Sequence, residues 1–179
     1  MSVGTLYQYF PNKSALLQAA LKRHLEEVAE AVELVCREWE GQKLRQMATA
    51  LITAYLNAKM LDAKTSVALY SVSSDVDGAK IVQQMGTRCQ KAIVRMLRTT
   101  SDPLSTDPQL VASMLQAAMG GVGRTIVESN PPEEQFTALG RELIVAACAY
   151  LDACSSRVPV HHLDPRQPLH KHGKDDKEL

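Results

Sequence analysis

The chain has 179 residues, of which 45% are apolar and 4% aromatic, and its 20 basic residues balance 20 acidic ones to a formal net charge of zero at pH 7. This length suits one domain of ordinary size with an apolar core, and the zero net charge excludes a polybasic protein that binds any polyanion through bulk charge. The four cysteines form no Cys-x-x-Cys pair, so the sequence indicates neither a zinc ribbon nor a thioredoxin-type site.

The predicted elements are helices separated by proline, glycine and polar breaks. Apolar residues recur every three or four positions from Asn12, which predicts one long helix that ends at Gly41. Asp77 is the predicted cap of a later helix. Similar spacing predicts the next three helices, which lie at 44–58, 65–72 and 77–97.

Two further helices carry start signals in the sequence. Asp107 precedes Pro108, the arrangement of a capping side chain and a first-turn proline, and predicts a helix at 107–129. Pro132 is followed by two glutamates, which the helix dipole favours in a first turn, and predicts a helix at 132–154. Because no segment alternates as a strand does, we expect an all-α fold.

The opening segment has a locally positive character. No acidic residue occurs before Glu26, while Lys13 is basic, which suits a phosphate backbone. On a short helix, Leu6 and Phe10 would be inward anchors and the polar side chains around them would face outward, as in a helix that enters a major groove. The same spacing also fits an ordinary packing corner with a few exposed tyrosines.

This segment resembles the second half of the helix-turn-helix of the TetR family of bacterial transcriptional repressors, in which a recognition helix ends in Tyr-x-Tyr/His-Phe before a turn and a Lys. The resemblance is carried by Gly4-Thr5-Leu6-Tyr7-Gln8-Tyr9-Phe10-Pro11-Asn12-Lys13 and continues through Ala15, Leu16 and Leu17. It implies a recognition helix at about 2–9. The implied DNA-contacting residues are Ser2, Thr5, Tyr7, Gln8, Tyr9 and Lys13.

Members of that family carry two further helices before the recognition helix, and this chain begins at Met1 inside or immediately before it. The resemblance therefore implies a partial helix-turn-helix with its connecting long helix at 1–40. Either the native protein is longer, or it is a shortened regulator that binds DNA weakly or not at all. An in-frame upstream continuation encoding two helices would support the first alternative.

Beyond the opening segment, the resemblance is one of architecture and implies a ligand-binding and dimerisation domain at 41–154. Methionines on the apolar stripes of several helices suit a pocket for a small, largely apolar effector, although ordinary core packing also explains them. The candidate ligand-binding residues are Met47, Leu51, Tyr55, Tyr70, Met85, Cys89, Ile93, Met96, Met114 and Met119.

Three glycines, Gly120, Gly121 and Gly123, fall inside a predicted helix, where each costs up to about 1 kcal/mol relative to alanine. Close packing between subunits, a bend beside a ligand and a plain break in the helix are all compatible with them. In the family, the last two helices form a four-helix bundle in a homodimer, which sets two reading helices about 34 Å apart. The implied interface residues are Gly120, Gly121, Gly140, Leu143, Ala147, Tyr150 and Leu151.

The remaining sequence favours no enzyme, cofactor or metal site. No Ser/His, Cys/His or Glu-x-x-His arrangement is convincing, and the histidines at 161–172 belong to a proline-rich stretch, 155–179, that we expect to be a disordered tail. No apolar run approaches the roughly 20 residues of a membrane span, and no signal peptide is recognisable. We therefore expect a cytoplasmic protein without a membrane partner.

Together these features predict a ligand-responsive transcriptional regulator of the TetR type, in the role of a repressor. In the implied mechanism, an effector favours a dimer whose recognition helices no longer match adjacent major grooves. The alternative is a ligand-binding and dimerisation module that does not bind DNA itself and modulates a full-length relative by pairing with it.

Overall fold

The computed structural model of the chain describes residues 13–60, 76–129 and 131–155. Within these ranges the chain is all-α, as predicted, with no strand. The helices are α1 (Lys13–Glu38), α2 (Leu44–Met60), α3 (Val76–Leu97), α4 (Pro108–Ser129) and α5 (Glu133–Ser155). The predicted helix at 65–72 lies outside the described residues, as does the predicted tail beyond Ser155.

The ends of α1 and α4 follow the chemistry of their caps. Beyond the end of α1, Gly41 adopts a φ of 77°, a left-handed conformation that glycine adopts without the penalty of a Cβ. At the start of α4, Asp107 Oδ1 accepts a hydrogen bond of 3.0 Å from the backbone N–H of Gln109, which confirms the predicted cap. Helix α4 continues without interruption through its three glycines, so the plain break is excluded.

The prediction that Asp77 caps α3 is wrong. The helix begins at Val76, and Asp77 lies in its first turn. There its carboxylate is near the positive end of the helix dipole, and its Oδ1 is 3.4 Å from Lys80 Nζ.

Helix α2 is central to the packing, because it contacts each of the other four described helices. Helices α1 and α3 run parallel, since Glu33 pairs with Arg88 and Glu40 pairs with Arg95. Helix α4 packs against α2, α3 and α5, but no residue of α1 approaches α4 as neighbouring helices do. This arrangement leaves a space between α1 and α4.

The loops that join the helices at one end of the molecule are bound to each other. The backbone N–H of Leu44, at the start of α2, donates to Asp102 Oδ2 at 2.8 Å, so the loop after α3 caps α2. In the same region, the N–H of Gly41 donates to Thr99 Oγ1 at 2.9 Å. These bonds fix the ends of α1, α2 and α3 relative to one another.

The main core is an aliphatic cluster to which all five helices contribute, and a second, smaller cluster surrounds Leu21 on α1. The largest fully buried side chains of the main core are Val32, Cys36, Leu44, Met47, Leu51, Ile52, Ile93, Met96, Leu97, Val111, Ile126 and Leu151. Helix α4 has the length and composition of a membrane-crossing helix, contrary to the expectation from the sequence that no segment approaches this. Its inner face, however, contributes to this core, as in the core helix of a folded domain.

A two-pronged ion pair joins α1 to α3. Arg88 Nε donates to Glu33 Oε1 at 2.6 Å, and Arg88 Nη2 donates to Glu33 Oε2 at 2.7 Å. The hydrogen bonds from this guanidinium, more than its charge alone, hold the pKa of Glu33 below its ordinary value. The pair fixes the register of α1 along α3.

Candidate ligand-binding cavity

A cavity of about 300 Å³ lies between α1, α2, α3 and α4, in the space where α1 and α4 do not meet. This volume is at the lower end of the range of about 300–1,000 Å³ that is usual for ligand pockets. Its lining residues are Leu21, His24, Leu25, Val28, Val32, Tyr55, Lys59, Val82, Met85, Gly86, Cys89, Gln116, Met119, Gly120 and Arg124.

One wall of the cavity depends on the close approach of Tyr55 to Gly123. A Cβ on Gly123 would lie 2.7 Å from Tyr55 Oη and 3.1 Å from its Cε1, closer than carbon atoms pack. The missing side chain therefore makes room for the phenol of α2 against the backbone of α4. Gly120 and Gly121 have no such neighbour within 4 Å.

We expect Gly123→Ala to lower the free energy of unfolding by about 1 kcal/mol, because the cost of displacing Tyr55 exceeds the gain in helix propensity. The matched change Gly121→Ala meets open space and should raise it by up to about 1 kcal/mol. Urea denaturation at one protomer concentration measures both. Adding Tyr55→Phe to Gly123→Ala should restore part of the loss, and equal effects of the two alanines would contradict this account of the wall.

The wall between α3 and α4 is held by a side chain that crosses between the helices. Gln116 Nε2 donates to the backbone carbonyl of Gly86 at 2.8 Å, and a Cβ on Gly86 would lie 3.3 Å from that nitrogen. A glycine at this position lets the amide of Gln116 reach the backbone of α3. This bond satisfies the amide nitrogen of Gln116 and the carbonyl of Gly86 within the protein.

Basic side chains lie on three of the four helices that form the cavity. His24 on α1 is 7% exposed and Lys59 on α2 is 8% exposed. Burial disfavours the charged amine and lowers the pKa of Lys59 from its ordinary value. Arg124 on α4 is at the exposed rim, where its Nε is 2.7 Å from Glu128 Oε1.

The opposite part of the cavity is apolar and includes one thiol. Burial, the main cause, raises the pKa of Cys89 to about 11, and burial likewise raises the pKa of Cys36, in the adjoining core, to about 12. Both thiols are therefore protonated at neutral pH, and they are poor nucleophiles in that form. This part of the cavity offers an apolar surface and no reactive group.

Residues 43–151 match the family described as Tetracyclin repressor-like, C-terminal domain. The chain belongs to this family. No curated protein sequence matches the chain significantly. This match confirms the predicted TetR family and agrees with the all-α fold, and it does not include the opening segment. The matched region is the type of domain that carries ligand binding in TetR-type transcription regulators.

The match places three walls of the cavity, α2, α3 and α4, inside the TetR-like domain, while the fourth wall, α1, precedes it. Of the candidate ligand-binding residues, the structure brings together Tyr55, Met85, Cys89 and Met119 around the cavity. Met114 is 56% exposed on the outer face of α4. Tyr70 lies outside the described residues. The closed core contains Met47, Leu51, Ile93 and Met96, which do not line the cavity.

The prediction missed the polar lining residues and the contribution of α1, which supplies Leu21, His24 and three further residues. The resemblance assigns α1 to the partial helix-turn-helix and its connecting helix, and so does not predict that its inner face lines a cavity. A usable signal was present in α2, where Lys59 follows Tyr55 by one helical turn on an otherwise apolar face.

The candidate interface residues divide between the core and the surface. Gly140 packs against α2, since a Cβ on it would lie 3.2 Å from Leu56 Cδ1. Gly120 lines the cavity, Gly121 is exposed and Tyr150 is half-buried. The core of the protomer includes Leu143, Ala147 and Leu151, because this face of α5 packs on α2, and their side chains are unavailable to a partner subunit.

The candidate DNA-contacting residues Ser2, Thr5, Tyr7, Gln8 and Tyr9 lie outside the described residues, and Lys13 is described only as the first residue of α1. In the described ranges, no three His, Cys, Asp or Glu side chains come together as metal ligands would. The histidines at 161–172 are outside those ranges.

Proposed function

We propose that this chain is a ligand-responsive transcriptional regulator of the TetR type that acts as a cytoplasmic homodimer on operator DNA, in the role of a repressor. The observation that carries the proposal is the cavity of about 300 Å³, three walls of which belong to the TetR-like domain. A small, largely apolar molecule is the effector that such a cavity would take.

Helix α1 is the element through which the effector acts. It begins at Lys13, directly after the segment that resembles a recognition helix, and it lines the cavity along Leu21–Val32. Because α1 and α4 are separated by the cavity, a ligand that contacts both helices sets the distance between them. Differential affinity for two positions of α1 would couple occupancy of the cavity to DNA affinity.

The proposed dimer interface is the outer face of α4 and α5. Three of the large apolar side chains that the structure leaves exposed lie there, namely Leu110, Met114 and Val145. Small exposed residues surround them and would allow close approach of a partner's helices, among them Ala117, Gly121, Ala146 and Ala149. We propose this face in place of Leu143, Ala147 and Leu151, the residues of the predicted interface that are buried in the core.

The second candidate is a ligand-binding and dimerisation module that pairs with a full-length relative. The family match favours it in one respect, because the match covers a C-terminal domain alone. In this alternative the effector would regulate pairing, and DNA binding would be supplied by the relative.

A mobility-shift assay with the promoter next to the coding sequence separates the two candidates. We expect a weak shift or none with Met1–Leu179 and, for a chain extended by in-frame upstream codons, a sequence-selective shift that weakens steeply with salt. A sequence-selective shift with the unextended chain would contradict the expected weakness of the partial helix-turn-helix. If neither chain gave a shift and the protein formed mixed dimers with a full-length relative, the result would favour the ligand-binding and dimerisation module over the regulator.

A further inference from the structure

We propose that the effector is an amphipathic anion whose carboxylate or similarly small acidic head binds beside His24, Lys59 and Arg124. Its apolar body would lie against the part of the cavity formed by Cys89 and Met119. This inference rests on the proposed role of the cavity as the effector site and names the chemical class of the effector. It adds an acidic head to the small, largely apolar effector that the sequence predicts.

The charge of the lining is one-sided. Three basic side chains, His24, Lys59 and Arg124, line the cavity, and no Asp or Glu is among its described lining residues. At the rim, Arg124 pairs with Glu128, which is outside the lining. Among the described lining residues, an anion that enters the cavity therefore meets basic side chains and no acidic one.

The helix register places the three basic residues at one end of the cavity. Helices α1 and α3 are parallel, and α3 and α4 are antiparallel through the bonds of Gln116 to Gly86 and of Gln90 to Ser113. Continued along the helices, this register brings Arg124 to the level of His24. Helix α2 is antiparallel to α1 across a short turn, and Lys59 is near its end, so it reaches the same level.

The other end of the cavity is at the level of Val32 and Cys89, next to the closed core. His24 and Val32 are separated by eight positions on α1, or about 12 Å at the helical rise of 1.5 Å per residue. A ligand that uses the whole cavity thus has an acidic group at one end and an apolar body of medium length. The protonated thiol of Cys89 adds no negative charge that would repel it.

Because Lys59 is buried, its ammonium group would attract an anion more strongly than an ammonium group on the surface does. An ammonium group that has lost most of its hydration interacts more strongly with a carboxylate than an exposed one does, because the local dielectric is low. Burial lowers the pKa of Lys59, and a carboxylate bound beside it would raise this pKa again by stabilising the charged form. Arg124 at the rim would attract the anion first, and the anion would then bind beside the buried amine of Lys59.

Isothermal titration calorimetry with octanoate, octan-1-ol and octylamine tests the proposal, because the three probes share a chain and differ in charge. We expect octanoate to bind about tenfold or more tightly than octan-1-ol, the size of a charge-assisted hydrogen bond, and octylamine to bind least. Lys59→Met should remove this advantage and leave the affinity for octan-1-ol within about threefold of the wild-type value. Lys91→Met, on the exposed side of α3 away from this cavity, is the matched control and should change neither affinity.

Two further variants keep the test decisive. Arg124→Gln, at the exposed rim, should weaken octanoate about threefold or more even if Lys59→Met does not fold. Gly120→Phe should block all three probes, because residue 120 lines the cavity and has open space beside it.

Equal affinity for octanoate and octan-1-ol, both blocked by Gly120→Phe, would overturn the anionic head and leave the cavity as an effector site. Tighter binding of octylamine would overturn it as well. If none of the three probes bound the wild-type chain, the proposed function itself would fail together with this inference.

Discussion

Substituting Leu51 with alanine should lower the free energy of unfolding by about 2–5 kcal/mol, the range for removing a buried leucine from a packed core. Leu51 is 0% exposed and belongs to α2, the helix that contacts every other described helix. The truncated side chain would leave a void bordered by several elements at once, so no single element could move to fill it. The expected cost is therefore in the upper part of this range.

Urea denaturation monitored by circular dichroism measures this effect at a fixed protomer concentration, which keeps any contribution of dimerisation constant. The matched control is Leu34→Ala on α1, whose side chain is 50% exposed and whose loss should change the free energy of unfolding by about 0.5 kcal/mol or less. A loss below about 1 kcal/mol for Leu51→Ala would show that α2 does not occupy the centre of the packing.

Placing glutamates at Met114 and Val145 should convert the proposed homodimer to monomers. The two side chains are 56% and 60% exposed on α4 and α5 of the protomer, and the proposed two-fold interface would bury both of them. A buried, unpaired carboxylate costs several kcal/mol, and about 3 kcal/mol already corresponds to a weakening of the dimer by about 100-fold. The folded protomer should be unaffected, because neither side chain contributes to the core.

Sedimentation-equilibrium measurements over a range of protein concentrations report the dissociation constant directly. Leu34→Glu introduces the same charge at an exposed leucine on α1, outside the proposed interface, and should leave the dimer intact. If Leu34→Glu dissociated the protein while the double variant remained dimeric, the interface would lie on α1 and the assignment to α4 and α5 would be wrong.

The helices could be predicted from the sequence because their signals are local. A period of three to four apolar residues predicts a helix and its inward face, and Asp107 before Pro108 marks a start that the structure confirms. The role of the three glycines of α4 could not be predicted, because it depends on contacts that are not local. Whether Gly123 breaks a helix or accepts a neighbour depends on Tyr55, which is distant in sequence.

The cavity could be predicted only in part, because a periodic pattern shows which face of a helix is inward and not what that face meets. Met47 and Met119 give the same signal, yet the first is in the closed core and the second lines the cavity. The difference arises from the separation of α1 and α4, a property of tertiary packing. The basic end of the cavity could not be predicted from the apolar stripe of α2, because a stripe identifies the inward face of a helix and does not give a role to a lysine within it, such as Lys59.

Nuclear magnetic resonance of the chain labelled with ¹³C at its methionine methyl groups tests the central claim, that the effector binds between α1 and α4. Met85 and Met119 line this cavity, Met47 and Met96 are in the closed core, and Met114 is on the outer face of α4. Titration with octanoate should shift the signals of Met85 and Met119 in a saturable manner and leave the other three nearly unchanged. Saturable shifts at Met114 with none at Met85 or Met119 would place the ligand on the surface and contradict the assignment of the cavity as the effector site.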